Sequence, residues 1–496
     1  MTTTIPHTVG RTRPDAPRST ARHAAPWGLL PLVLALSACG VWPQRPAPDA
    51  PLPPLARSAP SAWQAPLPHS GQASSLSDWW LQFNDPLLVR LIDAAQQASP
   101  TLASAVSRVA QARASQVAAG ATGAPQVNAT AALVRGKTDV LSPVASSISA
   151  GLQASWELDL FGGLQAGRDA ASERLAGSQA AWHDARVSVA AEVASSYTQL
   201  RACQAQLQQA EADSASRAET ARLSALLTRS GFRAPADAAL ARASAAQGRS
   251  SVTQQQAQCD GLVKSLVALT ALDEPKLRAD LQAGRATLPM PAQLAVDAVP
   301  AQVLAQRPDV FIAERDWLAA RADRAQQQAT RYPRVSLNGS LTAGRVQTSS
   351  TAGNGFLWSL GPVSVSLPLL DGGQREAHTQ AAQAREAEAE SVYRAKLRTA
   401  VREVEDALVS LAASAARQGD AQTSADGFDA VLRATDARQR SGLASLFELE
   451  AARRDAVQSR SALIELQRER VASWIALYRA LGGGWVPDGA SAVAER

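Results

Sequence analysis

From Leu164 to Ser230 the chain runs 67 residues without a proline, and from Gln374 to Ser441 it does so again for 68. Proline breaks a helix because it lacks the N–H and its ring clashes with the preceding turn. Both runs are rich in Ala, Gln and Arg, so each is predicted to be helical over most of its length. At about 1.5 Å per residue, each would be on the order of 100 Å long. No compact soluble domain has a use for helices of that length. A second helical stretch follows each run, Pro235 to about Leu272 and Leu443 to about Leu481. Their apolar residues recur at three- and four-residue spacing, as in Leu463, Leu466, Val471, Ile475 and Tyr478. Small residues dominate all four stretches and let helices approach closely. The expectation is long helical hairpins lying side by side.

The same plan is written twice. Ser99-Pro100 opens a helical stretch that stops at Pro125, and Arg307-Pro308 opens one that stops at Pro333, an offset of 208 at both prolines. Gly162-Gly163 and Gly372-Gly373 are offset by 210. Glu192-Val193 and Glu403-Val404 are offset by 211, as are Ser230-Gly231 and Ser441-Gly442. Landmarks in one order at a nearly constant offset mark an internal duplication. The units are predicted over 79–272 and 306–481, joined by a linker at 273–305 and followed by a tail at 482–496.

Each unit opens with a helix, about 86–121 and then 308–330. Two segments of period two come next. Alternation is weak in Val127–Arg135 and clean in Leu152–Leu160, where Leu152, Ala154, Trp156, Leu158 and Leu160 share one face. In the second unit, Val335, Leu337, Gly339 and Leu341 alternate with polar residues, and so do Val363, Val365, Leu367 and Leu369. Such strands suit a transmembrane barrel, and equally an antiparallel sheet on a soluble core. If they do lie in lipid, stoichiometry follows. Four strands cannot close a barrel that needs at least eight, and an open edge in lipid leaves backbone groups unsatisfied. Three chains would supply twelve strands.

The N-terminus addresses the export route. Arg11, Arg13, Arg18 and Arg22 precede an apolar run from Trp27 that ends in small residues, the order of a secretory signal. The run is too short to span a bilayer, which takes ~20 residues. Leu36-Ser37-Ala38-Cys39 resembles the bacterial lipobox, in which the cysteine is acylated and becomes the first mature residue. An ordinary signal with an incidental cysteine is the alternative. Gly40, where an aspartate would imply retention in the inner membrane, points by the same resemblance to the outer membrane. Residues 1–38 are therefore expected to be a signal peptide and 39–78 a lipidated tether, with nine prolines between Pro43 and Pro68. The basic stretch before the apolar run is long, so the start codon could lie further in.

Composition excludes several classes of function. A net charge of +5, most of it in the signal, gives no field for nucleic acid. Five histidines and three cysteines, with His7, His23 and His69 all near the N-terminus and His183 and His378 far apart, argue against a metalloenzyme. There is no Gly-rich phosphate loop, no nucleophile elbow and no paired metal ligands, so neither a catalytic site nor a cofactor is expected.

Four motifs carry a family resemblance: Trp79-Trp80-Leu-Gln-Phe-Asn-Asp-Pro86, Ser155-Trp-Glu-Leu-Asp-Leu-Phe-Gly-Gly163, Arg307-Pro-Asp-Val-Phe-Ile-Ala-Glu314 and Leu367-Pro-Leu-Leu-Asp-Gly-Gly373. The chain resembles the TolC-like outer membrane factor family, of the OprM/NodT lipoprotein type. That resemblance implies a fold that is mainly α with a membrane β-barrel. Three copies would share one twelve-stranded outer-membrane barrel, continuous with a periplasmic α-helical barrel. An equatorial collar would come from residues before Asn84, about 273–305, and after about 482. Further implied are docking to a periplasmic adaptor (membrane fusion) protein and an inner-membrane RND pump, contact with outer membrane lipid, and passive export of drugs or other small molecules. The rival readings are a type I protein-secretion duct and a lipid-anchored, non-conducting periplasmic scaffold.

Several residues are candidates for function. Arg229-Ser230-Gly231 and Arg440-Ser441-Gly442 match the family's periplasmic tips, which meet the adaptor, although a glycine past a helix end is also the common αL cap. Asp237 and Glu448 each stand six residues after a tip glycine, so threefold symmetry would make carboxylate rings at a narrow mouth. Glu448 matches the family's acidic gate best, with Ala451 where a second acid often stands. For Glu448 a solvated helix face is an equal alternative, and for Asp237 and Glu450 it is the favoured one. Cys203 and Cys259 lie 28 residues before and 28 after Gly231, the same height in an antiparallel hairpin. An oxidising periplasm would join them; two buried thiols are the alternative. Trp156 and Trp358 would suit an interfacial belt or a core at the barrel base. Most arginines on the long helices are expected on solvated faces.

Overall fold

The computed structural model describes residues 79–137, 143–291, 304 and 307–485. The signal peptide, the tether, Cys39, most of the 292–306 stretch and the tail from 486 lie outside the described residues.

A 3-10 turn, Trp79–Phe83, leads into α1 (Pro86–Ala98) and α2 (Pro100–Ala121). Sequence periodicity predicts one helix over 86–121, but Ser99 divides it. Pro100 disfavours the helical region for the residue before it, and Ser99 sits extended at φ −68°, ψ 119°. Both helices open on a proline at the first turn behind a side-chain cap: Asp85 accepts from Leu87 N at 3.0 Å, and Ser99 accepts from Leu102 N at 3.3 Å.

Strands β1 (Gln126–Gly136) and β2 (Ala145–Leu158) follow, and after them come the long α3 (Gly163–Arg229), α4 (Pro235–Thr270) and the short α5 (Glu274–Gln282). The second unit repeats the order with α6 (Pro308–Ala329), β3 (Arg334–Gln347), β4 (Ala352–Ser366), α7 (Gln374–Arg440) and α8 (Leu446–Ala480). Two strand ends differ from the alternation. Leu160 lies beyond β2, and Leu367 and Leu369 lie beyond β4, which begins at Ala352 rather than near 363. The aspartate of each corner motif is the reason. Asp159 accepts from Leu164 N at 3.2 Å and Gln165 N at 2.7 Å. Asp371 accepts from Gly373 N at 3.0 Å and Arg375 N at 3.2 Å. These residues are committed to satisfying the first free amides of α3 and α7, so the ladder must end before them. Gly162 and Gly373, at φ 76° and 86°, supply the left-handed step that turns strand into helix.

The strands form one antiparallel sheet in the order β1-β2-β3-β4. One face is apolar, with Leu133 against Ile148, Leu152 against Leu341 and Leu341 against Trp358. The other is polar and largely uncharged: Asn128, Gln153, Ser340 and Ser359 make one row across all four strands. Trp358 is 74% exposed on the apolar face, among exposed Phe356 and Leu360, whereas Trp156 is 37% exposed and donates its Nε1–H to Gly123 O at 3.0 Å. Among the described residues the outer edges of β1 and β4 have no partner strand.

The main core lies where α1 and α5 pack against the middle of α3 and α7 and the ends of α4 and α8. It includes Trp79, Leu91, Tyr197, Leu200, Leu266, Leu408 and Leu477. Two arginines are buried here: Arg201 on α3, an exception to the solvated faces expected of most arginines on the long helices, and Arg307, which precedes α6. Arg201 donates to Tyr197 Oη at 2.9 Å, Leu281 O at 2.8 Å and Ala283 O at 2.8 Å, and Tyr197 donates to Asp85 at 2.6 Å. Arg307 donates to Ala480 O at 2.8 Å and to Glu403 at 2.7 Å, and clamps Asp309. Burial alone would raise the Asp309 carboxyl, but the Arg307 hydrogen bond and charge hold it below the usual range. Guanidinium groups with several fixed donors can satisfy chain ends that a solvated side chain would leave open. Among the described residues no helix is long and apolar enough to cross a membrane.

Candidate functional site at the hairpin tips

The two tips are built identically. Gly231 N bonds to Thr228 O at 3.1 Å and Phe232 N to Leu227 O at 2.9 Å; Gly442 N bonds to Gln439 O at 3.1 Å and Leu443 N to Arg438 O at 2.8 Å. This is the Schellman closure, and it requires the left-handed conformation that Gly231 and Gly442 adopt at φ 75° and 79°. The turn throws apolar side chains outward: Phe232, Leu443 and Phe447 are exposed. Arginines frame them. Arg440 pairs with Asp436 at 2.6 Å, Arg438 donates to Leu443 O at 3.1 Å, and exposed Arg229 donates to Ala225 O at 3.3 Å. Asp237 lies in the first turn of α4, half-buried.

The gate candidates fare differently. Glu448 forms a reciprocal capping box: its amide donates to Ser445 Oγ at 3.1 Å, and its carboxylate accepts from Ser445 N at 2.6 Å. Those bonds hold its carboxyl below the usual glutamate range. A depressed folded-state pKa means the cap contributes fully above the ordinary glutamate range and is lost as pH falls through the lowered value. Amide exchange at 445–449, corrected for intrinsic rates, should therefore rise between pH 7 and pH 3. In Glu448→Gln that rise should be absent; if both proteins respond alike, the carboxylate is not the titrating cap.

Glu450 does not lie on a solvated face. Its carboxylate on α8 accepts from Arg217 on α3 at 2.7 Å, from Ser244 on α4 at 2.6 Å and from Arg453 at 2.8 Å. Arg453, 2% exposed, reaches on to Ser216 Oγ at 2.9 Å and Thr220 Oγ1 at 2.7 Å, while Arg217 also holds Asp213 at 2.6 Å. Gly248 lets α4 come this close, since a Cβ there would stand 3.1 Å from Arg217 Cδ. One carboxylate thus fastens the second hairpin to both helices of the first, about 6 Å from the start of α8. The sequence carried a usable signal. Glu450 and Arg453 fall on the same stripe as buried Leu446, Leu449 and Ala456, where a charged pair must be bonded.

Further along the first hairpin, Cys203 on α3 and Cys259 on α4 are joined by a disulfide with Cα atoms 5.6 Å apart. Among the described residues no three His, Cys, Asp or Glu side chains gather in a way that could hold a metal ion.

The model of the outer membrane efflux protein family matches this chain twice, over residues 91–272 and 299–483. The chain belongs to the outer membrane efflux protein family. The two matches correspond to the two halves of the structure. Like other relatives, the pyoverdine export outer membrane protein OpmQ of Pseudomonas aeruginosa aligns end to end, 30% identical over 93% of this chain and 97% of its own. Nodulation protein T of Rhizobium leguminosarum is 26% identical over 92% of both chains. Among solved structures, the outer-membrane channel OprN superposes with a TM-score of 0.76 at 28% identity, covering 90% of this efflux protein and all of that chain.

Proposed function

We propose that this efflux protein is the passive exit duct of a tripartite, RND-type system, a trimer whose twelve strands close one barrel in the outer membrane. Its α3/α4 and α7/α8 hairpins form the periplasmic tunnel, their tips meet a periplasmic adaptor, and Cys39 carries the lipid anchor. The observation that carries this reading is the sheet. Four strands with bare edges, apolar on one face and polar on the other, continue directly into helices of 67 residues. In lipid such a sheet must be closed by further copies, and the polar face then lines a water-filled lumen. Family membership and end-to-end alignment with outer membrane export proteins support the same reading. Arg229, Arg440 and the exposed Phe232 and Leu443 offer the adaptor a basic, apolar rim. Gate opening would part the hairpins once the adaptor binds, and no bond chemistry is involved.

Purified protein added to a planar bilayer tests the duct. Discrete conductance steps are expected from a species that native mass spectrometry shows to be threefold. A trimer that inserts but never conducts would favour the scaffold instead.

A further inference from the structure

The apolar face of the sheet stops short of the far ends of its strands. On β2 it runs from Leu158, beside the corner with α3, through Trp156 and Leu152 to Ile148. That is about 34 Å of strand, or about 26 Å along the membrane normal at the ~40° tilt of a barrel strand. A lipid-facing band is about 25 Å tall. Ile148 therefore stands at the boundary of the hydrocarbon, on the side away from the helices. From there on, the same face turns polar and cationic. Ile148 pairs with Arg345 on β3, and Arg345 with Asn354 on β4. One row further out, Arg135 on β1 pairs with Ser146, and Ser146 with Gln347.

Arg135 and Arg345 are exposed, and among the described residues neither side chain makes an ion pair or a hydrogen bond. Exposed Lys137 follows just past β1. The four strands hold one carboxylate, Glu157, and it lies on the polar face at the opposite end, in the row of Ser336 and Ser364. The sheet thus supplies these arginines with no counter-charge. A guanidinium on a lipid-facing wall is costly at the bilayer midplane and nearly free of cost at the boundary. Its planar fork of donors fits a phosphate through two parallel bonds, which an ammonium cannot match. The two arginines stand two strands apart sideways and two residues apart lengthwise, about 12 Å between Cα atoms. Ser146 lies between them on β2, so both side chains can close on one headgroup.

The geometry points to a binding site for a phosphate-bearing lipid headgroup on the outer wall of the barrel, gripped by Arg135 and Arg345 with the Ser146 hydroxyl between them. The occupant is a lipid of the outer leaflet rather than free phosphate, because exposed Leu133 and Ile148, beside and below the arginines, offer its acyl chains an apolar wall. This rests on the barrel reading above and names the lipid chemistry that the rim of the barrel takes. Each chain carries one such site.

Native mass spectrometry of the full-length protein in non-ionic detergent tests it, with diphosphoryl lipid A as the probe. One lipid should bind per chain. Arg135→Gln with Arg345→Gln should weaken binding at least about tenfold, since charge-assisted bonds to both side chains are lost. Each single substitution should give a smaller loss, so one poorly folding variant does not decide the matter. Arg334→Gln, which removes a cation at the opposite end of the sheet, should bind as the parent does. The same lipid stripped of its phosphates should bind parent and double variant equally weakly. Equal binding of the diphosphoryl lipid by parent and double variant, both assembled, overturns the site. Displacement of the lipid by inorganic phosphate at equal concentration overturns the lipid as its occupant. A parent that never conducts in a planar bilayer overturns the barrel reading itself.

Discussion

Replacing Glu450 by alanine is expected to make the channel mouth leak. The substitution removes the acceptor shared by Arg217, Ser244 and Arg453, leaving the buried Arg453 without its carboxylate and Arg217 with Asp213 alone. Removing one partner of a buried ion pair costs about 3 to 5 kcal/mol, and the second hairpin can relieve it by moving away from the first. The exposed pairs near the tips, such as Arg222 with Glu219 on α3, lie within one helix and do not oppose that movement. Single-channel conductance in a planar bilayer should rise several-fold, and cells should admit large hydrophilic antibiotics that the intact envelope excludes. Glu450→Gln keeps an acceptor and should fall between parent and alanine variant. Arg217→Ala should do less, because Glu450 retains Arg453 and Ser244. Unchanged conductance in the alanine variant, with normal assembly, would mean that the clasp does not restrain the mouth.

The second large effect is expected at the Cys203–Cys259 staple. The bond closes a loop with a sequence separation of 56. On the chain-entropy account, a loop of that size restrains the unfolded hairpin by about 4 kcal/mol. The double variant Cys203→Ser with Cys259→Ser should therefore lose protection across α3 and α4 in hydrogen exchange and unfold at lower denaturant. The α7/α8 hairpin, which has no cysteine, should change little. Dithiothreitol should reproduce the loss in the parent and leave the variant untouched. Peptide mapping that finds both thiols alkylatable in protein from the periplasm would refute the staple.

Much of this protein was legible as punctuation. Proline-free runs set the long helices, tip glycines set their ends, and recurring landmarks revealed the duplication, because each depends on backbone constraints that act within a few residues. Strand ends were less legible. Leu160, Leu367 and Leu369 continue the alternation, but capping by Asp159 and Asp371 removes them from the ladder. The buried Arg201 and Arg453 stand out from the solvated majority for a related reason. A guanidinium on a helix can face water or reach across to Ala283 O or Glu450, and helical spacing is the same in either case.

What the sequence determined alone is what local geometry dictates: two copies of a strand-and-hairpin unit, Schellman turns at Gly231 and Gly442, and one pair of cysteines at equal height. Tertiary structure alone decided which charges are spent inside the chain. Glu450 closes a clasp between hairpins because Arg217 and Ser244, more than two hundred residues away, come within reach only once the helices pack, whereas the Glu448 cap needs only Ser445, three residues before it.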